Sequence, residues 1–276
     1  MTAEIVEGQE KEAKNRHLRI GLMGIPASGK TTLAEKLQEK WGDISMINER
    51  PEANPYLRDF YLADPKKWAF HSQVWFAEDK ISMIAGLNSS FVSLVVPAFE
   101  MDKIYELTNH LMGRISKEEH QLYLRVCEAL CEEKGYQPPD LFVSTNAPVD
   151  IIVDRIIKIR GRDYEKDIDP EYLKLLSQIL ESWIEENANK VDILEVDSSA
   201  WNFRDSGIDQ AVTVRKIEKA AKDTWYGKYQ KQGAEDMDKL PYFLKWPNQA
   251  NLADRPAGAN PFYNSIQEHS AILLRR

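Results

Sequence analysis

The chain has 276 residues, 43% of them hydrophobic and 29% charged, which suits a globular protein with one sizeable core and excludes a disordered chain. A formal net charge of −8, with a pI of about 5.3, argues against general affinity for nucleic acid or an anionic membrane. Cys127 and Cys131 lie four apart with no second Cys or His pair to complete a zinc site, so they read as reduced thiols of a cytoplasmic protein.

Residues 1–17 are polar and rich in Glu, the opposite of a signal or transit peptide, and are expected to be a disordered lead. Leu18–Met23 is a short apolar run and reads as a strand. It runs into Gly24, Ile25, Pro26, Ala27, Ser28, Gly29, Lys30, Thr31 and Thr32, which fit G-x-x-x-x-G-K-[ST] without a mismatch. A helix over Lys30–Trp41 follows. Strand, glycine-bounded loop and helix N-terminus would gather backbone N–H groups and a partial positive charge around one concavity. Lys30 would reach the β- and γ-phosphates of ATP, and the Thr31 hydroxyl would ligate Mg²⁺.

A second strand, Ile44–Asn48, ends at Glu49. Ligands of open α/β sheets bind beyond the carboxyl ends of strands, so Glu49 is placed to orient or deprotonate an attacking hydroxyl. Asp64 and Pro65 form a helix start, and a helix is predicted over Lys66–Leu87. On it Gln73 could pair with the edge of a base, with Trp68, Phe70 or Trp75 as an apolar wall.

The remaining strands are predicted at Val92–Val96, Leu141–Thr145 and Asp192–Val196, with helices at Asp102–Leu111, Lys117–Lys134, Val149–Arg160, Pro170–Asn187 and Ile208–Trp225. Continuous apolar strands alternating with helices predict an α/β fold with a five-stranded parallel sheet, helices on both faces. Arg155, Arg160 and Arg162 cluster at a helix end and could close over a triphosphate. The longest apolar run, Phe91 to Phe99, is too short to span a bilayer. From Tyr226 the chain turns rich in prolines and aromatics, so 18–225 is expected to be the folded domain and 226–276 an irregular extension packed over it.

Together these pieces resemble the deoxynucleoside kinase family, a group with the P-loop kinase fold. The likeness rests on Gly24–Thr32, on Glu49 and on Asp64-Pro65-Lys66-Lys67-Trp68-Ala69-Phe70 with Gln73. It is completed by Arg160-Gly161-Arg162-Asp163-Tyr164-Glu165 ahead of Tyr172-Leu173, and spans roughly Leu18 to Lys222. It implies transfer of the γ-phosphoryl of ATP to the 5′-hydroxyl of a nucleoside-like small molecule, often by a homodimer. By the same resemblance Glu49 is the base at the 5′-hydroxyl, Gln73 reads the nucleobase, Glu165 with Tyr61 holds the sugar 3′-hydroxyl, and Arg160 and Arg162 belong to a lid. The loop Asp197–Phe203 falls where the family encloses the donor adenine.

The chain departs from the family after its third strand. Where the family has an acid-Arg-Ser motif, with the acid helping to place the metal and the arginine beside the acceptor, this sequence reads Val96-Pro97-Ala98. Asp102 matches a carboxylate that follows the motif, and Glu100 is a candidate substitute metal partner. Either another group takes the arginine's role, or phosphoryl transfer has been lost and the chain is a kinase-fold scaffold subunit. A nucleoside monophosphate kinase is a further alternative.

Overall fold

The computed structural model describes residues 17–42, 44–87, 91–229 and 242–245. In chain order these form β1 (Leu18–Met23), α1 (Lys30–Trp41), β2 (Ser45–Asn48), a 3-10 turn at Pro51–Ala53, α2 (Leu57–Leu62) and α3 (Pro65–Ala85). Then come β3 (Val92–Val96), α4 (Phe99–Leu111), α5 (Lys117–Lys134), β4 (Leu141–Asn146) and α6 (Val149–Arg155). The last group is a π turn at Ile156–Arg160, a 3-10 turn at Asp163–Glu165, α7 (Pro170–Asn187), β5 (Asp192–Asp197), α8 (Gly207–Tyr229) and α9 (Tyr242–Lys245).

The five strands pair in parallel in the order β2-β3-β1-β4-β5, the expected fold class. Buried residues run almost without a break through β1, β3 and β4, because helices cover both faces of the sheet there. One layer joins Leu33, Leu37 and Trp41 of α1 to Val214, Ile217 and Trp225 of α8. The opposite layer joins Met101 and Ile104 of α4 to Ile152 of α6 and Leu173, Leu176 and Leu180 of α7. The edge strands β2 and β5 are only partly buried, as their position dictates.

The helix starts are chemically marked. The Asp64 carboxylate accepts from the N–H groups of Lys66 and Lys67, with Pro65 opening α3. Ser116 and Glu119 cap the start of α5 reciprocally.

Several boundaries differ from expectation. α4 begins at Phe99 rather than Asp102, so Glu100 and Asp102 both lie in its first turn. The helix expected to run to Arg160 is regular only to Arg155 and then widens into the π turn. The sequence predicts no helix over α2. α8 continues to Tyr229, so the boundary drawn at Tyr226 falls inside a helix. Within the expected extension, Phe243 and Leu244 of α9 are buried in the core, and Phe243 stacks on Trp41 at 4.3 Å; residues 230–241 and 246–276 lie outside the described residues. So do residues 1–16 of the expected lead, while His17 exchanges backbone hydrogen bonds with the Tyr229 hydroxyl at 3.1 Å.

Candidate active site

The loop between β1 and α1 is held open by its glycines. Gly24 has φ +138°, and a Cβ there would stand 2.4 Å from Ser28 Oγ and 2.5 Å from the Thr145 carbonyl. Ser28 Oγ and Thr145 Oγ1 are 2.7 Å apart, pinning the loop to β4. α1 begins at Gly29 with no side-chain cap and no acid in its first turn. Its N-terminal N–H groups and its dipole are therefore available to an anion.

Gly29, Lys30, Thr31 and Thr32 line one wall of an open cavity of about 560 Å³. Arg155, Arg160 and Arg162 line another, and Ser198 to Asp205 close it with Trp201 and Phe203. Arg155 is less a lid group than a fastener. It donates to Ser198 Oγ at 2.9 Å and to the Ser198 carbonyl at 2.7 Å, tying the loop after β5 to the lid.

Lys30 is 8% exposed and donates to the carbonyls of Gly24 and Ile25 at 2.7 and 2.8 Å. Burial, seconded by Arg160, lowers its ammonium to about 7, while Glu49 pulls the other way and Lys80 and Glu165 add smaller opposed effects. Those influences show which charged groups the fold gathers around the lysine.

Glu49 follows β2, and its N–H donates to the carbonyl of Val96 at 2.9 Å, so the ends of β2 and β3 are adjacent. Its carboxylate keeps 24% of its surface exposed and stands 3.5 Å from Lys80 Nζ. Lys80, on α3, is also 2.5 Å from Asp102 Oδ2, and both of those side chains are 1% exposed. Burial, the largest influence, pulls Lys80 down, but Asp102 and Glu49 together outweigh it and hold the ammonium above its ordinary value. Burial raises the Asp102 carboxyl against the pull of Lys80, and the nearby Glu49 carboxylate raises it further.

Gln73 lies on α3 seven residues before Lys80, 5% exposed, and its Oε1 has no hydrogen-bond partner. Of the aromatics expected to wall it, Trp68 stacks on Tyr56 at 5.8 Å and Trp75 meets Phe76 edge-on. Tyr61 on α2 packs at 5.5 Å against Tyr164. Burial, then Tyr172 and Glu165, raises its phenol, so the structure puts Tyr61 close to Glu165.

Glu165 is held by two arginines. Arg160 Nε is 2.5 Å from its Oε2, and Arg162 Nη1 donates to its Oε1 at 3.1 Å. Glu100, the candidate substitute metal partner, is engaged by a neighbouring tyrosine. Tyr136 donates to it at 3.2 Å, and burial raises its carboxyl.

The fold thus brings Glu49, Arg160 and Glu165, far apart in sequence, within electrostatic reach of Lys30, and Tyr61 within reach of Glu165. Lys30 and Arg160 line the cavity, while Glu49, Tyr61, Gln73 and Glu165 are not among its lining residues. A model of the deoxynucleoside kinase family matches residues 20–221, well over half of the chain. The chain belongs to the deoxynucleoside kinase family. A deoxyguanosine kinase of Bacillus subtilis is 30% identical over 189 residues, covering 67% of this chain and 88% of that protein. A deoxyguanosine kinase of Lactobacillus acidophilus is 28% identical over 205 residues, covering 72% and 88%. Among solved structures, a deoxyadenosine kinase from M. mycoides with bound dCTP superposes with a TM-score of 0.63 at 21% identity, over 73% of this chain and 100% of that one. The last comparison carries the fold, and the matched residues carry the family.

Lys80 and Tyr105 lie outside the sequence motifs, and Tyr172 enters them only through the Tyr172-Leu173 pair after the lid. Glu49 adds to the raising of both phenols, after burial as the largest cause. The only sequence signal for Lys80 was its spacing of seven from Gln73, which places both on one helix face.

Proposed function

We propose that this chain is a nucleoside kinase, moving the γ-phosphoryl of ATP to the 5′-hydroxyl of a (deoxy)nucleoside. The observation that carries this reading is the grouping of Glu49, Arg160 and Glu165 within electrostatic reach of the phosphate-loop lysine, Lys30. The relatives' names make deoxyguanosine and deoxyadenosine the first acceptors to test.

The loop amides and Lys30 bind the β- and γ-phosphates once Lys30 leaves the Gly24 and Ile25 carbonyls. Gln73 offers its buried, unpaired amide oxygen to a donor on the nucleobase. Glu165 and Tyr61 take the sugar 3′-hydroxyl and so fix the 5′ end beside Glu49. The 5′-oxygen forms a bond to the γ-phosphorus as the bond from that phosphorus to the departing ADP oxygen breaks, and Glu49 receives the hydroxyl proton. Arg160 and Arg162 neutralise charge on the phosphoryl in transit.

The residues present fit Mg²⁺ held jointly by Thr31 and phosphate oxygens. Thr31 is exposed at the cavity, and among the described residues no group of three Asp, Glu, His or Cys could hold an ion without help. When bound, the ion supplies neutralisation of phosphate charge.

A second reading draws on Val96, Pro97 and Ala98, which stand buried and uncharged where the family has its acid and arginine. On that reading the chain binds ATP as a scaffold. One assay decides between them: ADP release from ATP across a panel of nucleosides and nucleoside monophosphates. Acceptor-dependent release with a nucleoside supports the kinase. ATP binding with no acceptor-dependent release contradicts it.

No helix among the described residues is long and apolar enough to cross a membrane. The proposal includes a homodimer, which sedimentation of the full chain would test.

A further inference from the structure

Lys80 occupies an unusual place for a lysine. It is 1% exposed, in the C-terminal third of α3, on the same helix face as Gln73. Its ammonium bridges two carboxylates from different elements. The contact to Asp102 Oδ2 is short, at 2.5 Å, and the one to Glu49 Oε1 is longer, at 3.5 Å. Asp102 Oδ1 has no hydrogen-bond partner, so the acid serves mainly to anchor the lysine. The end of β3, adjoining Glu49 through the Glu49 N–H to Val96 carbonyl bond, brings no charge, since Val96-Pro97-Ala98 has none to offer.

We infer that Lys80 is a positioning residue for phosphoryl transfer: anchored on Asp102, its ammonium holds the Glu49 carboxylate aimed into the cleft, the task for which the end of β3 has no cation. This rests on the kinase reading, in which Glu49 receives the hydroxyl proton. The two distances suit the division of labour. A tight ion pair with Glu49 would occupy the lone pairs that must meet the hydroxyl, whereas a looser contact orients the carboxylate and leaves them free. Without the ammonium, Glu49 and Asp102 would face an incoming triphosphate as two acids with no cation between them, and repulsion would favour withdrawal of the Glu49 carboxylate. Glu49 is also influenced by Lys30 from α1, Tyr105 from α4 and Tyr172 from α7, so the test must isolate Lys80.

The experiment pairs kinetics with a double-mutant cycle. Wild type, Lys80→Met, Lys80→Arg, Glu49→Gln and the Lys80→Met/Glu49→Gln double variant are each confirmed folded by circular dichroism. In Lys80→Met, kcat should fall about 100-fold with much less change in nucleoside KM. Lys80→Arg should recover most of that loss. In the Glu49→Gln background, Lys80→Met should cost little further kcat, because the lysine acts through the carboxylate. Fully additive losses overturn the inference, as does a loss confined to KM or an arginine variant no better than the methionine one. Should Lys80→Met not fold, Asp102→Asn loosens the anchor and is expected to lower kcat with little change in KM; no change there also overturns the inference. The same cycle read by urea unfolding tests the Lys80–Glu49 contact without turnover, so coupling in a wild-type protein that phosphorylates no nucleoside sinks the kinase reading alone.

Discussion

The Nε of Arg160 lies 2.5 Å from Oε2 of Glu165, yet neither atom has an aligned hydrogen bond. The lid arginine and the acid proposed for the sugar thus attract one another without satisfying one another. A ligand with a phosphate at one end and a hydroxyl at the other would give each a better-directed partner. Glu165→Gln keeps the shape and removes the charge. Its nucleoside KM should rise by about 10-fold or more, the usual worth of a hydrogen bond to a charged group. Wild type should prefer an acceptor with a 3′-hydroxyl over its 3′-deoxy analogue, and the variant should lose most of that preference. Equal discrimination in both proteins would remove Glu165 from the sugar site.

Lys30 sets a pH dependence. Its ammonium is lowered to about 7 by burial, so it loses its proton as pH rises through that value. A triphosphate favours the charged form. Above pH 7, therefore, nucleotide binding must take up a proton, and affinity should weaken steadily between pH 7 and 9. Calorimetry in buffers of different ionisation enthalpy would read proton uptake approaching one at the upper end, and Lys30→Met should abolish it. Binding at pH 9 without uptake would contradict the assignment.

Gln73 offers a prediction with two opposite signs. Its buried Oε1 is unpaired, so Gln73→Leu should leave thermal stability unchanged or slightly raised. The same change should raise nucleoside KM about 10-fold while leaving ATP binding intact. A large loss of stability with no effect on KM would make Gln73 a structural residue.

α9 is tied to the body of the protein by Phe243, which stacks on Trp41, and by the Leu244 carbonyl, which accepts from the Tyr226 hydroxyl at 3.2 Å. Phe243→Ala should cost about 3 kcal/mol in denaturant unfolding, without moving the kinetic constants. An unaltered midpoint would show that α9 does not stay docked.

Much of this architecture was legible because its signals are local. The phosphate loop is a contiguous pattern, and strands buried on both faces betray themselves as apolar runs. The order of those strands was not legible, since pairing joins residues such as Leu18 and Val92 that lie far apart in the chain. α2 is only six residues long and gives too little periodicity to read. The π turn after Arg155 left no mark on residue type. Lys80 was missed for a physical reason: a lysine reads as exposed by composition, and its burial depends on Glu49, 31 positions away, and Asp102, 22 positions away. The change at Val96-Pro97-Ala98 was visible at once. The cation that answers it belongs to another helix and emerged only from the fold.

The central claim is that Glu49 serves the acceptor hydroxyl, and ADP release measured with nucleoside present and absent, in wild type and Glu49→Gln at equal ATP occupancy, tests it most directly. The expected result is nucleoside-dependent release in wild type and a loss of about 100- to 10,000-fold in the variant, with ATP affinity nearly unchanged. Equal nucleoside-dependent release from both proteins would contradict it.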